Sequence, residues 1–345
     1  MRRLVISDFH FGASNALGGH PLVLERLVDE LVWAEQVIIN GDLLSLYSAP
    51  LDVALSRAKP LLALVATHVD DVVFLPGNHD HHLVEWATDD ERARRVVTGT
   101  ETSPLAAIER VLGALMPGVS VSAHYPAVTI DGVTYTHGHN MHALGHQIQW
   151  PAVDQRRFRR VIKSQTLLRQ MSPGDYEGLM APLFEIVYAI EQTGDSPEAT
   201  LERARWRALA RMRMDNPRPS AALWEPYVGA FIAKLTRSRS HLRPTEYILS
   251  LLAQMMSDWE IPDGLVCYAH THQVHAPLRA PTTPRWMFAN SGAWLLDRHV
   301  LAASKDGEWH PGTALRVHDG DVVVRRLLDD LSVAQLSDFA AQSAV

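Results

Sequence analysis

A chain of 345 residues can bury one large core or two small ones, and with 47% hydrophobic and 21% charged residues it is neither disordered nor fibrous. Its net charge of -7 gives no general reason to expect nucleic acid as a partner. A single cysteine excludes an internal disulfide and any multi-thiolate metal site, whereas 18 histidines mean that a metal would be held by imidazole and carboxylate.

The start, Met1 to Asp8, carries positive charge but an apolar run too short for a signal peptide. No uncharged apolar stretch is long enough to span a bilayer. The expectation is a soluble, cytoplasmic protein. Leu4-Val5-Ile6 reads as a buried strand and ends in Ser7-Asp8-Phe9-His10. Asp and His two apart on an extended tip project the same way, so one cation could receive a carboxylate and an imidazole. By itself Asp-x-His is common in surface loops. Pro21 to Trp33 then spaces its apolar residues as an amphipathic helix.

Val37-Ile38-Ile39 is a second strand, ending in Asn40-Gly41-Asp42, and a helical stretch follows over about 50–68. Val72 to Leu75 is a third strand, broken by Pro76-Gly77 and followed by Asn78-His79-Asp80. Asn offers a neutral oxygen ligand, His a ligand or proton donor, and Asp a carboxylate that can fix an imidazole's tautomer. Alone, this tip could equally be a capped turn with solvated histidines, since His81 and His82 come next. Recurrence of a polar tip after each strand favours function, because open α/β sheets bind ligands outside the carboxyl ends of their strands.

From Leu83 to Met116 the pattern is helical, and Val119 to Ile130 alternates loosely like a strand with a break or edge at Pro126. Asp131-Gly132 signals a hairpin whose second strand, Val133 to Thr136, ends in His137-Gly138-His139-Asn140. Between about Trp150 and Trp259 there is no convincing strand, which predicts an inserted helical subdomain. The sheet resumes at Leu265 to Ala269, ending in His270-Thr271-His272. Trp286 to Ala289, a last hairpin at Asp319-Gly320 and a short fraying helix within 331–345 complete the chain. The alternation predicts a layered α/β fold with mostly parallel strands.

In order, the tips read Asp8-x-His10, Gly41-Asp42, Gly77-Asn78-His79-Asp80, His137-Gly138 and His270-x-His272. This set resembles the five signature blocks of the calcineurin-like metallophosphoesterase superfamily: D-x-H, G-D, G-N-H-D, H-G and G-H-x-H. The resemblance covers the chain outside the helical insert. It implies an α/β fold, a two-sheet β-sandwich flanked by helices, with a core over 1–149 and 260–330, an inserted helical cap over 150–259 and a tail over 331–345. It also implies two divalent cations per chain. One would take Asp8, His10, Asp42 and His272, the other Asp42, Asn78, His137 and His270, with Asp42 bridging. Mixed imidazole and oxygen ligands suit Mn best, with Fe or Zn possible, and fit Mg or Ca less well.

By the same resemblance His79 would lie beside the phosphate as a transition-state stabiliser or proton donor, oriented by Asp80, while a metal-bridging hydroxide attacks in line. One departure is Ala269, where the family usually has Gly. Another is the surplus of histidines: His139 could compete with His137 as ligand or face substrate, and His81, His82, His142, His146 and His275 read as supporting, substrate-facing or surface residues. Cys267 reads as an inert core residue.

In family members with such a cap, notably the UDP-diacylglucosamine pyrophosphohydrolases, it shapes the substrate pocket. Within the insert, Arg156 and Arg157 lead a basic run that could grip phosphates or simply form a solvated helix face. The apolar stripe from Leu179 to Ile190 reads as cap packing or an acyl-binding lining. The expected partner is a small phosphate ester, with nucleic acid not expected; monoester, diester and pyrophosphate all remain open, as does oligomeric state. Two rivals stand beside the hydrolase: a binding scaffold that kept the fold without catalysis, and a nuclease.

Overall fold

Along the first three strands the apolar residues are sorted by parity. Leu4, Ile6, Val37, Ile39, Val72 and Phe74 enter one buried cluster, while Val5, Ile38, Val73 and Leu75 enter another. Strands buried on both faces are what unbroken apolar runs produce, because successive side chains point to opposite sides of the sheet. In the computed structural model the described residues are 1–84, 105–144, 172–174, 176, 177, 180, 184, 245–296 and 310–343.

The first sheet has six strands in the order β11-β10-β1-β2-β3-β4. Four of its members, β1 (Arg3–Ile6), β2 (Gln36–Asn40), β3 (Asp71–Leu75) and β4 (Ser120–Ala123), run parallel. The hairpin β10 (Thr313–His318) and β11 (Asp321–Arg326) adds an antiparallel edge. The second sheet orders five strands as β5-β6-β7-β9-β8. They are β5 (Ala127–Ile130), β6 (Val133–Thr136), β7 (Gly264–Tyr268), β8 (His275–Ala280) and β9 (Thr283–Asn290).

Helices α1 (Pro21–Trp33), α2 (Leu51–His68) and α3 (Ala106–Leu115) cover the outer face of the first sheet, burying Leu27, Leu31, Leu61, Val65 and Leu112 there. Helix α4 (Thr245–Asp258) covers the second sheet with Ile248, Leu252 and Met256. Between the sheets lie Val5, Ile38, Val73, Tyr135, Cys267 and Ala289. Two mixed sheets face to face, with helices outside, are the sandwich the sequence implies.

The loose strand expected over 119–130 is two strands. Pro126 sits where the chain leaves β4 in the first sheet and starts β5 in the second, since proline cannot donate to a ladder. Strand β8 has no clear signal in the sequence, because Pro277 and Pro281 mask an antiparallel partner for β9. In the tail, α5 (Val333–Ser343) opens with Ser332 and Gln335 bonding each other's amides. It buries Leu336 and Ala340, and Phe339 stacks on His20 at 3.8 Å. Most of 150–259 lies outside the described residues, apart from a few positions over 172–184 and helix α4 at its end.

Candidate metal centre

At the carboxyl ends of β1, β2 and β7 the chain turns through left-handed residues that are not glycine. Asp8 has φ 53°, His10 52°, Asp42 51°, His270 67° and His272 59°. Side chains with a Cβ seldom adopt this conformation, which costs of order 1–3 kcal/mol per residue and gathers at functional sites. The cost is concentrated on five of the residues that the sequence marks as ligands. Gly41, with φ 92°, lets β2 pass His137, since a Cβ there would lie 2.3 Å from Nδ1 of that ring.

Three groups of potential ligand atoms result, each within 4.8 Å: Asp8, His10 and His272; His10, Asp42 and His79; Asp42, His137 and His270. Nε2 of His272 is 3.2 Å from Asp8 Oδ1, and Nε2 of His10 is 3.7 Å from both Asp8 Oδ1 and Asp42 Oδ2. His137 Nε2 lies 3.3 Å from Asp42 Oδ2 and 3.3 Å from Asn78 Oδ1. Asp8 Oδ1 is buried and makes no hydrogen bond of good geometry, only the 3.2 Å and 3.7 Å approaches of the His272 and His10 imidazoles, an arrangement costly for a carboxylate unless a cation completes it. His10 and His272 meet Nε2 to Nε2 at 3.3 Å. Carboxylates and imidazoles converging in this way fit divalent cations of the Mn, Fe and Zn type.

Electrostatics agree with that fit. Burial would raise Asp42 and Asp8, but the neighbouring imidazoles, His137 first, hold both carboxyls well below the usual range. Burial would lower His137, yet Asp42 and Asp8 outweigh it and push the imidazole up to about 9. His137 Nδ1 donates to the carbonyl of Asn40 at 2.9 Å, which leaves Nε2 to face Asp42 and Asn78. The side chain of Asn40 joins the two sheets, donating to the carbonyls of Thr136 at 3.0 Å and Cys267 at 3.3 Å.

His79 stands beside this centre, its ring 4.4 Å from that of His10 and its amide donating to Asp42 Oδ1 at 2.8 Å. Burial pushes its imidazole down to about 3, so the ring is neutral. The expected pairing of Asp80 with His79 gives way to a different one. Ser45 Oγ, at 3.0 Å, is the partner of His79 Nδ1. Asp80 turns to the backbone, accepting from the amides of Gly77, Leu43 and Leu44 at 2.6, 2.9 and 3.3 Å. Its carboxylate thereby ties the tip after β3 to the tip after β2. Burial, with Asp42 nearby, pushes its carboxyl up to about 7 against the pull of those amides.

His139 belongs to none of the three groups, and its Nε2 meets the hydroxyl of Tyr125 at 2.9 Å. His137 therefore holds the inward position that the two histidines could have contested. Arg156 and Arg157 lie outside the described residues, as does His146. Sequence reasoning missed Ser45, whose place beside His79 has no motif, and Glu177. Glu177, from the insert, is buried between His81 Nε2 at 2.5 Å and the Tyr125 hydroxyl at 2.6 Å.

A family model described as calcineurin-like phosphoesterase matches residues 1–199, more than half of the chain. The match takes in the first four tips, and the geometry adds His270 and His272 from beyond its end. No curated protein matches the chain.

Proposed function

The chain belongs to the calcineurin-like phosphoesterase family, and from that premise we propose that it hydrolyses a phosphate ester at two divalent cations, Mn foremost. Asp8, His10, Asp42 and His272 would hold one cation, and Asp42, Asn78, His137 and His270 the other. The observation that carries this is Asp42, which shares one ligand group with His10 and another with His137 and His270. Two close cations repel unless an anion lies between them, and a carboxylate approached from both sides supplies it. Bound there, such cations neutralise phosphate charge and make water acidic enough to react near neutral pH.

The protein's own residues then have separate tasks. Asp42 takes the His79 amide on Oδ1, which keeps the imidazole against the centre. With Ser45 Oγ as its partner at Nδ1, the neutral ring would carry its proton on Nε2 and stabilise, by a hydrogen bond, the charge that develops on the phosphate or the leaving oxygen. The insert acts as a cap: Met180 and Phe184 are buried, and the Phe184 ring lies 4.6 Å from that of His81 and 5.3 Å from that of His139. Monoesters, diesters and pyrophosphates are all admissible substrates, and a small molecule is favoured over nucleic acid by the net charge of -7.

The test is turnover of an aryl phosphate monoester and an aryl phosphodiester by the Mn-loaded protein, with metal content measured alongside. Asp42→Asn should remove both turnover and bound metal. Inertness toward both esters, with metal bound, would return the chain to the reading of a binding scaffold.

A further inference from the structure

Five residues beyond His137, on the short 3-10 segment His139–Leu144, His142 brings its Nε2 to 2.5 Å from Nε2 of His270. The rings meet edge to face, with centroids 4.7 Å apart. Two imidazole nitrogens at this separation need one proton between them, one ring donating and the other accepting. We propose that His142 is a positioning residue for the metal centre: it accepts the Nε2 proton of His270 and thereby presents the Nδ1 lone pair of that ring to the cation shared with Asp42 and His137. The inference rests on the two-cation reading above and deepens it.

Three features support this assignment over direct ligation by His142. A neutral imidazole has one lone pair to give a metal, and the hydrogen bond made by its other nitrogen decides which one it is. The neighbouring ligand already shows the device, because His137 spends Nδ1 on the Asn40 carbonyl and turns Nε2 toward Asp42. His142, finally, enters none of the three ligand groups, although His270 shares one with Asp42 and His137. His142 thus meets Nε2 of His270 without joining the atoms that gather at the carboxylate. Its segment is held in place by Met141, fully buried, whose amide donates to the Gly138 carbonyl at 3.2 Å, and by packing on α4.

The experiment is Mn titration by calorimetry, with bound metal counted after gel filtration, on the full-length wild type and on His142→Ala, His142→Gln and His270→Ala. His142→Ala should weaken one of the two ions by about 10- to 100-fold, the usual range for loss of a group that orients a ligand, and leave the other near its wild-type affinity. His142→Gln, whose carboxamide oxygen can accept the same proton, should restore most of that loss. In the Zn-loaded wild type, proton–nitrogen correlation spectra should place the His270 proton on Nε2, a readout that needs no variant to fold.

Unchanged binding of both ions by His142→Ala overturns the inference, as does a His270 proton found on Nδ1. A glutamine variant as damaged as the alanine one also overturns it and points to direct ligation. If the wild type binds no pair of ions, the two-cation reading falls and this one with it. If the wild type holds two ions that His142→Ala does not disturb, only this one falls.

Discussion

Gly77 and Asp42 are so close that a Cβ on Gly77 would lie 2.1 Å from Oδ1 of Asp42 and 2.6 Å from its amide nitrogen. The glycine before Asn78 is thus a steric requirement of the carboxylate that the two ligand groups share. Gly77→Ala must displace either the tip after β3 or Asp42 itself. The expected result is a loss of about 1–3 kcal/mol, typical of overpacking a tight site, together with weakened binding of both cations. Thermal unfolding and metal titration read these separately, and wild-type values in both would mean that the tips can move apart freely.

His79 and Asp80, adjacent in the chain, should respond oppositely to mutation. His79→Ala should keep its metal and its stability while turnover falls by about 10²–10³, the range for loss of a hydrogen-bond donor to transition-state charge. Asp80→Asn places an amide group against backbone donors that now meet carboxylate oxygens, and should cost about 1–3 kcal/mol in stability. Ser45→Ala should slow turnover less than His79→Ala does and leave unfolding unchanged. An Asp80→Asn variant with full stability and slow turnover would restore the role of orienting His79 that the motif suggested.

Much of this was legible in the sequence because strands buried on both faces and their polar tips are local patterns. β1, β2, β3 and β7 each hold an unbroken apolar run closed by a tip, β6 was marked by its hairpin turn, and the spacing of Asp8 and His10 already implied convergence. What could not be read was which atom each side chain touches. Asp80 bonding to amides 36 and 37 residues away, or Ser45 reaching His79, depends on how β2 lies beside β3. Strand β8 was hidden for a related reason: it is an edge strand, where proline is tolerated, so its sequence lacks the signature of a central one.

Asn40 offers a test of how the sheets are joined. Its buried Nδ2 serves one carbonyl at the end of β6 and another in β7. Asn40→Ala would leave those carbonyls facing a cavity, at a cost of about 1–3 kcal/mol. The backbone carbonyl that fixes His137 stays in the variant, so metal binding should weaken only by the shift that the cavity allows at the end of β2. Chemical denaturation with and without Mn measures both effects, and a variant as stable as the wild type would show that packing alone joins the sheets.

Stability should depend on pH differently with and without metal. In the metal-free protein His137 is raised from 6.5 to about 9, and His272 is raised too; burial opposes both shifts, and the Asp42 and Asp8 carboxylates override it. A histidine that binds its proton more tightly when folded contributes stability that is complete below 6.5 and lost as pH rises through about 9. Burial acts the other way on His79, lowered to about 3, and on His139 and His270, also lowered. Their contribution is complete above the ordinary value and is lost as pH falls below 6.5. Metal-free protein should therefore melt highest near 6.5 and lose stability on either side. Cations compete with the His137 proton, so their affinity should rise with pH up to about 9 and the alkaline loss should vanish at saturating Mn. Melting curves of chelator-treated and Mn-loaded protein across that range decide it: a metal-free protein that grows steadily more stable toward about 9 would contradict the charge pairing of His137 with Asp42.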